Sequence, residues 1–340
     1  MRVDLIMAGK DKRIAVLGAT GAVGAEMLKI LDERNFPVSE LRLLGSRPGR
    51  SLKWRGVDYA VDVVTPDSFE GIDIVLSAVE GDLSRSLSPE AVKRGAVVID
   101  NSSAFRMNDD VPLVIPEVNP EDTAFHKGII ANPNCSTIIA LMALAPLHRE
   151  FGLKRLIAST YQAVSGAGAA GVTELEDQVR SFAQNTSMQA SVFPYQIAFN
   201  LIPRIDSFNT ENFYTKEELK MQNESRKILH APNLMVSCTC VRVPVIRSHS
   251  EALTIETERP ITPEAAREIL SNAPGVRVVD EPMNERYPMP IETSNQDLIY
   301  VGRIRKDLSN NGYGLVLWVC GDQVRKGAAT NAIQIAEELI

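Results

Sequence analysis

Cys135 is the residue whose type and position carry the most chemistry. It lies in Asn132-Pro133-Asn134-Cys135-Ser136-Thr137, which closes a short apolar strand and runs into Ile138, Ile139, Leu141, Met142 and Leu144. That spacing predicts a helix beginning near Ser136, with the cysteine at its N-terminus. Unpaired N–H groups and the positive end of the helix dipole favour the thiolate there, the form that attacks carbonyls and acyl phosphates. Cys238 and Cys240 alternate in a predicted strand and Cys320 ends an apolar run, positions that suit small buried hydrophobes. These four cysteines make no disulfide framework. Cys238 and Cys240 lack the second nearby pair or the spaced histidines of a zinc site, so no metal is expected.

The second string with chemistry in it is rich in glycine. RIAVL runs into Gly18-Ala19-Thr20-Gly21-Ala22-Val23-Gly24 and then into a helical pattern. Between strand and helix, such glycines make a tight turn, admit a phosphate to backbone N–H groups and let the helix pack on the strand. Gly18, Thr20, Gly21, Ala22 and Val23 are therefore expected at a dinucleotide, a plain βα turn being the blander reading. An NAD site usually carries an acidic residue after the second strand, about twenty residues on. Here LRLLG runs into Ser46 and Arg47. Arg47 can pair bidentately with a 2′-phosphate and Ser46 can donate to it, so NADP is the cofactor expected. The alternative is a solvated basic loop.

Taken in order, these strings resemble the aspartate-semialdehyde dehydrogenase family of bacterial type. The matching segments are GATGAVG, DNSSAFRM (Asp100–Met107), VIPEVNP (Val114–Pro120), NPNCST, STYQAVSGAG (Ser159–Gly168), VRVPV with HSE (Val241–Glu251) and the closing KGAATNA. The resemblance implies reduction of L-aspartyl 4-phosphate to L-aspartate 4-semialdehyde by NADPH through a thioester on Cys135, in the route to diaminopimelate, lysine, threonine and methionine. It further implies His249 as the proton-handling group, a role imidazole suits near neutral pH, and Gln162 as the amide that orients the intermediate. Arg242 would clamp the substrate carboxylate as a planar fork. Arg106 and Lys220 would hold the phosphate, with Glu217 beside Lys220 on one helix face. Ser165 and Gly166 would border the nicotinamide, though the glycines there suit a hinge equally, and Asn331 would lie near the cofactor. His126, His148 and His230 match no family motif and are expected on surfaces or helix ends. N-acetyl-γ-glutamyl-phosphate reductase, glyceraldehyde-3-phosphate dehydrogenase and a catalytically silent NADP sensor are the rivals. The substrate-end strings argue against the first two, and joint retention of Cys135, Gln162, Arg242 and His249 against the third.

Positioning these residues requires two kinds of scaffold. The first third alternates strand-like and helix-like runs (Arg13–Leu17, Val23–Arg34, Leu41–Gly45, Ile72–Ser77, Val97–Asp100), which predicts an α/β, Rossmann-type doubly wound parallel sheet. From Leu153 the strands lengthen: Leu153–Thr160, Met235–Val243, Ala252–Glu256, Ile299–Arg305 and Leu315–Cys320. A second, α+β domain with a mixed sheet follows. The expected division is an NADP-binding domain over 12–134, a catalytic and dimerisation domain over 135–324, and a terminal helix, 325–340, that completes the first. Ala329, Ile333, Ala336 and Ile340 recur there at helical spacing. A length of 340 residues accommodates both cores. The formal net charge of -7 provides no basic field for nucleic acid. The opening thirteen residues lack a signal-peptide pattern and no apolar run is long enough for a membrane span, which predicts a soluble cytoplasmic enzyme. About eleven residues precede the first strand, where family members commonly start almost on it. A homodimer, with room for pairing into a homotetramer, is the expected assembly. Phe182–Ser191 and Asp280–Ser294 carry no interpretable motif.

Overall fold

The structure, a computed structural model, describes residues 11–47 and 49–340. The reading of the opening ten residues therefore lies outside the described residues. The chain divides into two compact units. One runs to Pro112 and takes in Glu121–Asn132 and Ala332–Ile340; the other comprises Leu113–Pro120 and Pro133–Asn331.

The first unit contains β1 (Lys12–Leu17), α1 (Ala22–Glu33), β2 (Val38–Gly45), β3 (Arg50–Trp54), β4 (Val57–Val63), β5 (Ile74–Ser77), α2 (Gly81–Lys93), β6 (Val97–Asp100) and β7 (Ile129–Ala131). Its seven strands lie in the order β3-β4-β2-β1-β5-β6-β7. All pairings are parallel except the β3–β4 hairpin. β5 is buried at every residue, as a parallel strand covered on both faces must be. β1 pairs with β2 on one side and β5 on the other, so the strand order reverses at its C-terminal end. A doubly wound sheet opens its ligand crevice at such a reversal, and Gly18–Val23 is the segment found there. Gly18 has φ +84° and a Cβ on it would stand 2.5 Å from the Ala78 carbonyl oxygen. Neither the dihedral nor the space admits a side chain.

The second unit contains α3 (Cys135–Phe151), β8 (Leu153–Gln162), α4 (Gly168–Ala183), α5 (Lys216–Ile228), β9 (Met235–Arg242), β10 (His249–Thr257), α6 (Pro263–Ser271), β11 (Val276–Val278), the single turn α7 (Pro290–Thr293), β12 (Ile299–Lys306), β13 (Gly314–Gly321) and, at its edge, the start of α8 (Thr330–Glu337). Its six strands run β11-β12-β13-β10-β8-β9. β8–β9 and β11–β12 are parallel and the other pairs antiparallel, which makes the sheet mixed. α3 packs against β8, β10, β12 and β13 and against α5 and α6. It is buried nearly all round, so its apolar run has no polar face to lose.

The C-terminal run is not the single regular helix its spacing predicts. Arg325–Ala329 is a π-helical turn, and α8 begins only at Thr330. Ala329, Ile333 and Ala336 are fully buried, whereas Ile340 is 39% exposed because it lies beyond the helix end. Among the described residues no helix is long and apolar enough to cross a membrane.

Candidate active site

The N-terminus of α3 is built by the residue before the cysteine. Asn134, extended at φ -60° and ψ 143°, caps the helix; its Oδ1 accepts from the N–H groups of Ser136 (3.0 Å) and Thr137 (3.3 Å). Such a cap contributes about 1 kcal/mol. Asn134 also ties the helix to α5: its Nδ2 donates to Glu217 at 2.9 Å and its N–H to Glu224 at 2.7 Å. Cys135 is thereby held at the first helical position, half-buried. A Cβ on Gly327 would come within 3.1 Å of the Cys135 Cβ, so the π-helical turn packs closely against the cysteine there.

The sheet supplies the facing groups in rungs. Arg242 on β9 pairs with Gln162 on β8, and His249 opens β10 one residue before the Ser250–Tyr161 pair. Cys135 Sγ lies 3.5 Å from His249 Nε2. The ring's other nitrogen, Nδ1, accepts the Ala163 N–H at 3.1 Å. A neutral imidazole whose Nδ1 is an acceptor carries its proton on Nε2, so this ring presents an N–H to the sulfur. Burial and the neighbouring Arg242 guanidinium push the His249 imidazolium down to about 3, with Glu217 working the other way. The ring is consequently neutral at physiological pH.

Gln162 is oriented at both ends of its amide. Oε1 accepts from Thr160 Oγ1 at 2.9 Å, and Nε2 donates to Glu217 at 3.1 Å. Glu217 is buried. Burial opposes its charge, but Lys220 and the donors Asn134 and Gln162 outweigh that and hold its carboxyl down at about 2. Lys220 Nζ is 3.0 Å from Glu217. Arg242 is buried, donates to the Ala163 carbonyl at 2.8 Å and lies 5.8 Å from the centre of the Phe193 ring. A Cβ on Gly166 would meet Arg242 Nη1 at 2.8 Å and His249 Cε1 at 3.3 Å, so a side chain there would have to displace the Arg242 guanidinium. Ser165 Oγ is hydrogen-bonded by Gln323.

Two residues away along each strand, on the same face, Cys240, Thr160 and Glu251 pair across the same three strands. Glu251 is fully buried, and neither carboxyl oxygen has a partner among the described residues. Burial, with Cys240 and Glu217 adding to it, raises its carboxyl well above 4.5. Between 4.5 and that raised value the folded chain keeps a proton that the unfolded chain releases, so stability falls as pH rises through the window. Glu251→Gln, of equal shape, is expected to be more stable than wild type at pH 8 and to lose this slope. Thermal unfolding at pH 5 and pH 8 measures it; an equal wild-type-to-variant difference at both would count against a neutral Glu251.

The structure thus brings together Cys135, Gln162, Gly166, Glu217, Lys220, Arg242 and His249. Asn331 is fully buried, accepting from Lys326 at 2.8 Å and donating to the Val114 carbonyl at 2.9 Å. Ser165 aside, the remaining expected residues belong to the other unit. Arg106 is buried there, donating to the carbonyls of Asn132 (2.9 Å) and Asn101 (2.8 Å). Thr20, Gly21 and Ala22 are exposed, as are Ser46 and Arg47. α1 has no side-chain cap at Gly21, and a Cβ on Gly21 would meet only the Gly18 carbonyl, at 3.3 Å. Its first N–H groups have no intrahelical acceptor, so this loop fits a dinucleotide pyrophosphate. Asn134, Ala163 and Glu224 are the site residues that sequence reasoning missed. Asn134 had a legible signal, an N-cap residue type before an apolar run; Ala163 acts only through its backbone and had none.

Residues 13–126 match the family model described as semialdehyde dehydrogenase, NAD binding domain, and 144–326 match semialdehyde dehydrogenase, dimerisation domain. An aspartate-semialdehyde dehydrogenase of Aquifex aeolicus is 54% identical over 334 residues, 96% of this chain and 98% of that one. Among solved structures, aspartate semialdehyde dehydrogenase II of Vibrio cholerae complexed with ASA superposes with a TM-score of 0.94 at 44% identity, covering 97% and 98% of the two chains. The Candida albicans enzyme solved with NADP gives a TM-score of 0.72 at 25% identity, covering 97% and 98%.

Proposed function

The chain belongs to the aspartate-semialdehyde dehydrogenase family, and we propose that Cys135 performs that family's NADPH-dependent reductive dephosphorylation of L-aspartyl 4-phosphate to L-aspartate 4-semialdehyde. The observation that carries the assignment is the Cys135 sulfur at a capped helix N-terminus, 3.5 Å from the Nε2 of a histidine whose Nδ1 is already engaged. Sulfur attacks the acyl carbon, the C–O bond to phosphate breaks, and the thiol proton leaves with the phosphate. NADPH supplies the hydride that reduces the resulting thioester. The tetrahedral oxyanion then collapses to the aldehyde and expels the Cys135 thiolate, which takes a proton from solvent. His249 stabilises in turn the thiolate and the oxyanion by donating from Nε2, a role a neutral imidazole can fill without changing charge.

Arg242 clamps the substrate carboxylate, Glu217 faces the ammonium, and Arg106 and Lys220 take the phosphate. Gln162, fixed by Thr160 and Glu217, orients the thioester. Gly18, Thr20, Gly21, Ala22 and Val23 hold the pyrophosphate, Ser46 and Arg47 the 2′-phosphate. Ser165, Gly166 and Asn331 complete the cofactor contacts, Asn331 through the backbone at Val114 that it pins. A homodimer in the cytoplasm, with dimers able to pair, completes the reading.

Its test is NADP reduction by aspartate semialdehyde with inorganic phosphate, run beside N-acetylglutamate semialdehyde and glyceraldehyde 3-phosphate. Phosphate-dependent turnover of the first alone is expected; equal turnover of a rival overturns it. Cofactor choice has its own test. Arg47→Glu places a repelling carboxylate where the 2′-phosphate binds, and should cut the NADPH/NADH ratio of kcat/KM by about tenfold or more. An unchanged ratio removes Arg47 from the site.

A further inference from the structure

Lys220 is held between two carboxylates. Its Nζ lies 3.0 Å from Glu217 Oε2 and 3.2 Å from Asp206 Oδ2. The two acids differ in how firmly they are committed. Glu217 is buried, and Asn134 and Gln162 bind its other oxygen. Asp206 has a side chain 36% exposed. It lines a cavity of about 450 Å³ together with Arg204 and Arg242, and is the acidic residue of that lining.

The backbone at Asp206 is unusual too. Its φ of +72° lies in the left-handed region, which aspartate tolerates better than most residues but still at a cost. Its Oδ1 accepts the Ser207 N–H at 2.7 Å, and Arg204 Nε donates to its carbonyl at 3.2 Å. These bonds turn the other oxygen toward Lys220. Burial opposes the Asp206 charge, but the Ser207 N–H and Lys220 outweigh it, so the carboxylate is ionised at neutral pH.

We propose that Asp206 is a specificity-determining residue that occupies, in the substrate-free chain, the place on Lys220 which the substrate's phosphate takes during reaction. The proposal rests on the assignment of Lys220 to phosphate. A phosphate dianion and two carboxylates around one ammonium repel one another at close range. Glu217 cannot leave without exposing buried donors, so Asp206 is the group that yields. Its return to Lys220 after thioester formation competes with product phosphate and favours its release. The carboxylate end of the substrate, gripped by Arg242, is indifferent to the exchange.

Asp206→Asn removes the charge, tolerates the left-handed backbone and keeps an oxygen for Ser207. Asp206→Gly removes the charge and all backbone strain. In the aldehyde-oxidising direction both are expected to lower KM for inorganic phosphate by about 3- to 10-fold, with KM for aspartate semialdehyde changed by less than about twofold. A general loosening of the fold would shift both constants. Lys220→Met, measured in parallel, should raise the phosphate KM. Folded Asp206 variants with unchanged or raised phosphate KM, beside a Lys220→Met that raises it, overturn the proposal and leave the Lys220 assignment standing. A phosphate KM unmoved by Lys220→Met overturns the assignment, and the proposal with it.

Discussion

Cys135→Ala is expected to lower kcat by at least about 10⁴-fold while NADPH binds as before, because the thiol forms and breaks the covalent bond to the acyl group and touches nothing the dinucleotide needs. The surroundings make the loss hard to compensate. Asn134 fixes the helix start, Gly327 packs against the Cβ, and His249 directs its Nε2–H at the sulfur. No other cysteine can take over: Cys238, Cys240 and Cys320 are buried, and burial contributes to raising the Cys320 thiol to about 12. A hydrogen bond with Cys240, and burial after it, raise Cys238 as well. Steady-state rates and fluorescence titration with NADPH measure the two halves of the expectation. More than a few per cent of wild-type kcat would end the covalent reading. Mass spectrometry of the wild-type enzyme quenched with aspartyl phosphate before cofactor is added should show the acyl adduct on Cys135.

His249→Asn carries the second-largest expected effect, a fall in kcat of about 10²- to 10³-fold, the loss associated with one preorganised donor to a developing oxyanion. Asparagine can still accept from Ala163 or donate to the sulfur, but is too short to do both. The pH dependence distinguishes the ring's role. With its imidazolium held down at about 3, His249 is neutral in the free enzyme from pH 5 to 8 and contributes no acid limb near 6.5 to kcat/KM. An acid limb near 6.5 in wild type that vanishes in the variant would show a protonating histidine. Stability gives an independent reading. The unfolded chain protonates this histidine near its ordinary value of 6.5 while the folded chain resists to about 3. Wild-type stability is therefore lost as pH falls from 6.5 toward 3, and the variant should lack that component.

Much of the site was legible because its signals are local. Gly18–Val23 reads as a strand-to-helix loop from residues within a few positions of one another, and Cys135 reads as a helix start from its own lead-in and the apolar run after it. Strand ends and long-range partners were not legible in that way. Alternation placed the start of a strand at Ala252, whereas β10 begins at His249. Its first residues are held by pairing to Gly321 and Tyr161, distant in sequence. The β3–β4 hairpin drew no reading at all for a similar reason: five cross-strand pairs form it, and turn residues alone did not announce it.

Sequence by itself determined the α/β and α+β halves, the helix start at Cys135, the glycine-rich loop and the motif strings by which Arg242, Gln162 and His249 were picked out. Periodicity and capping act within a few residues, so these signals are readable from neighbouring positions in the chain. Tertiary structure decided what each group is able to do. The tautomer of His249 follows from the backbone N–H of Ala163, the charge of Glu217 from Lys220 and the amides of Asn134 and Gln162, and the raised carboxyl of Glu251 from its burial two rungs behind. The expected cofactor residue Asn331 is engaged by Lys326 and Val114, and Ile340 falls outside the core its spacing predicted. Protonation states and hydrogen-bond directions depend on which groups stand within a few ångströms, and sheet register and helix packing bring those together from far apart in the chain.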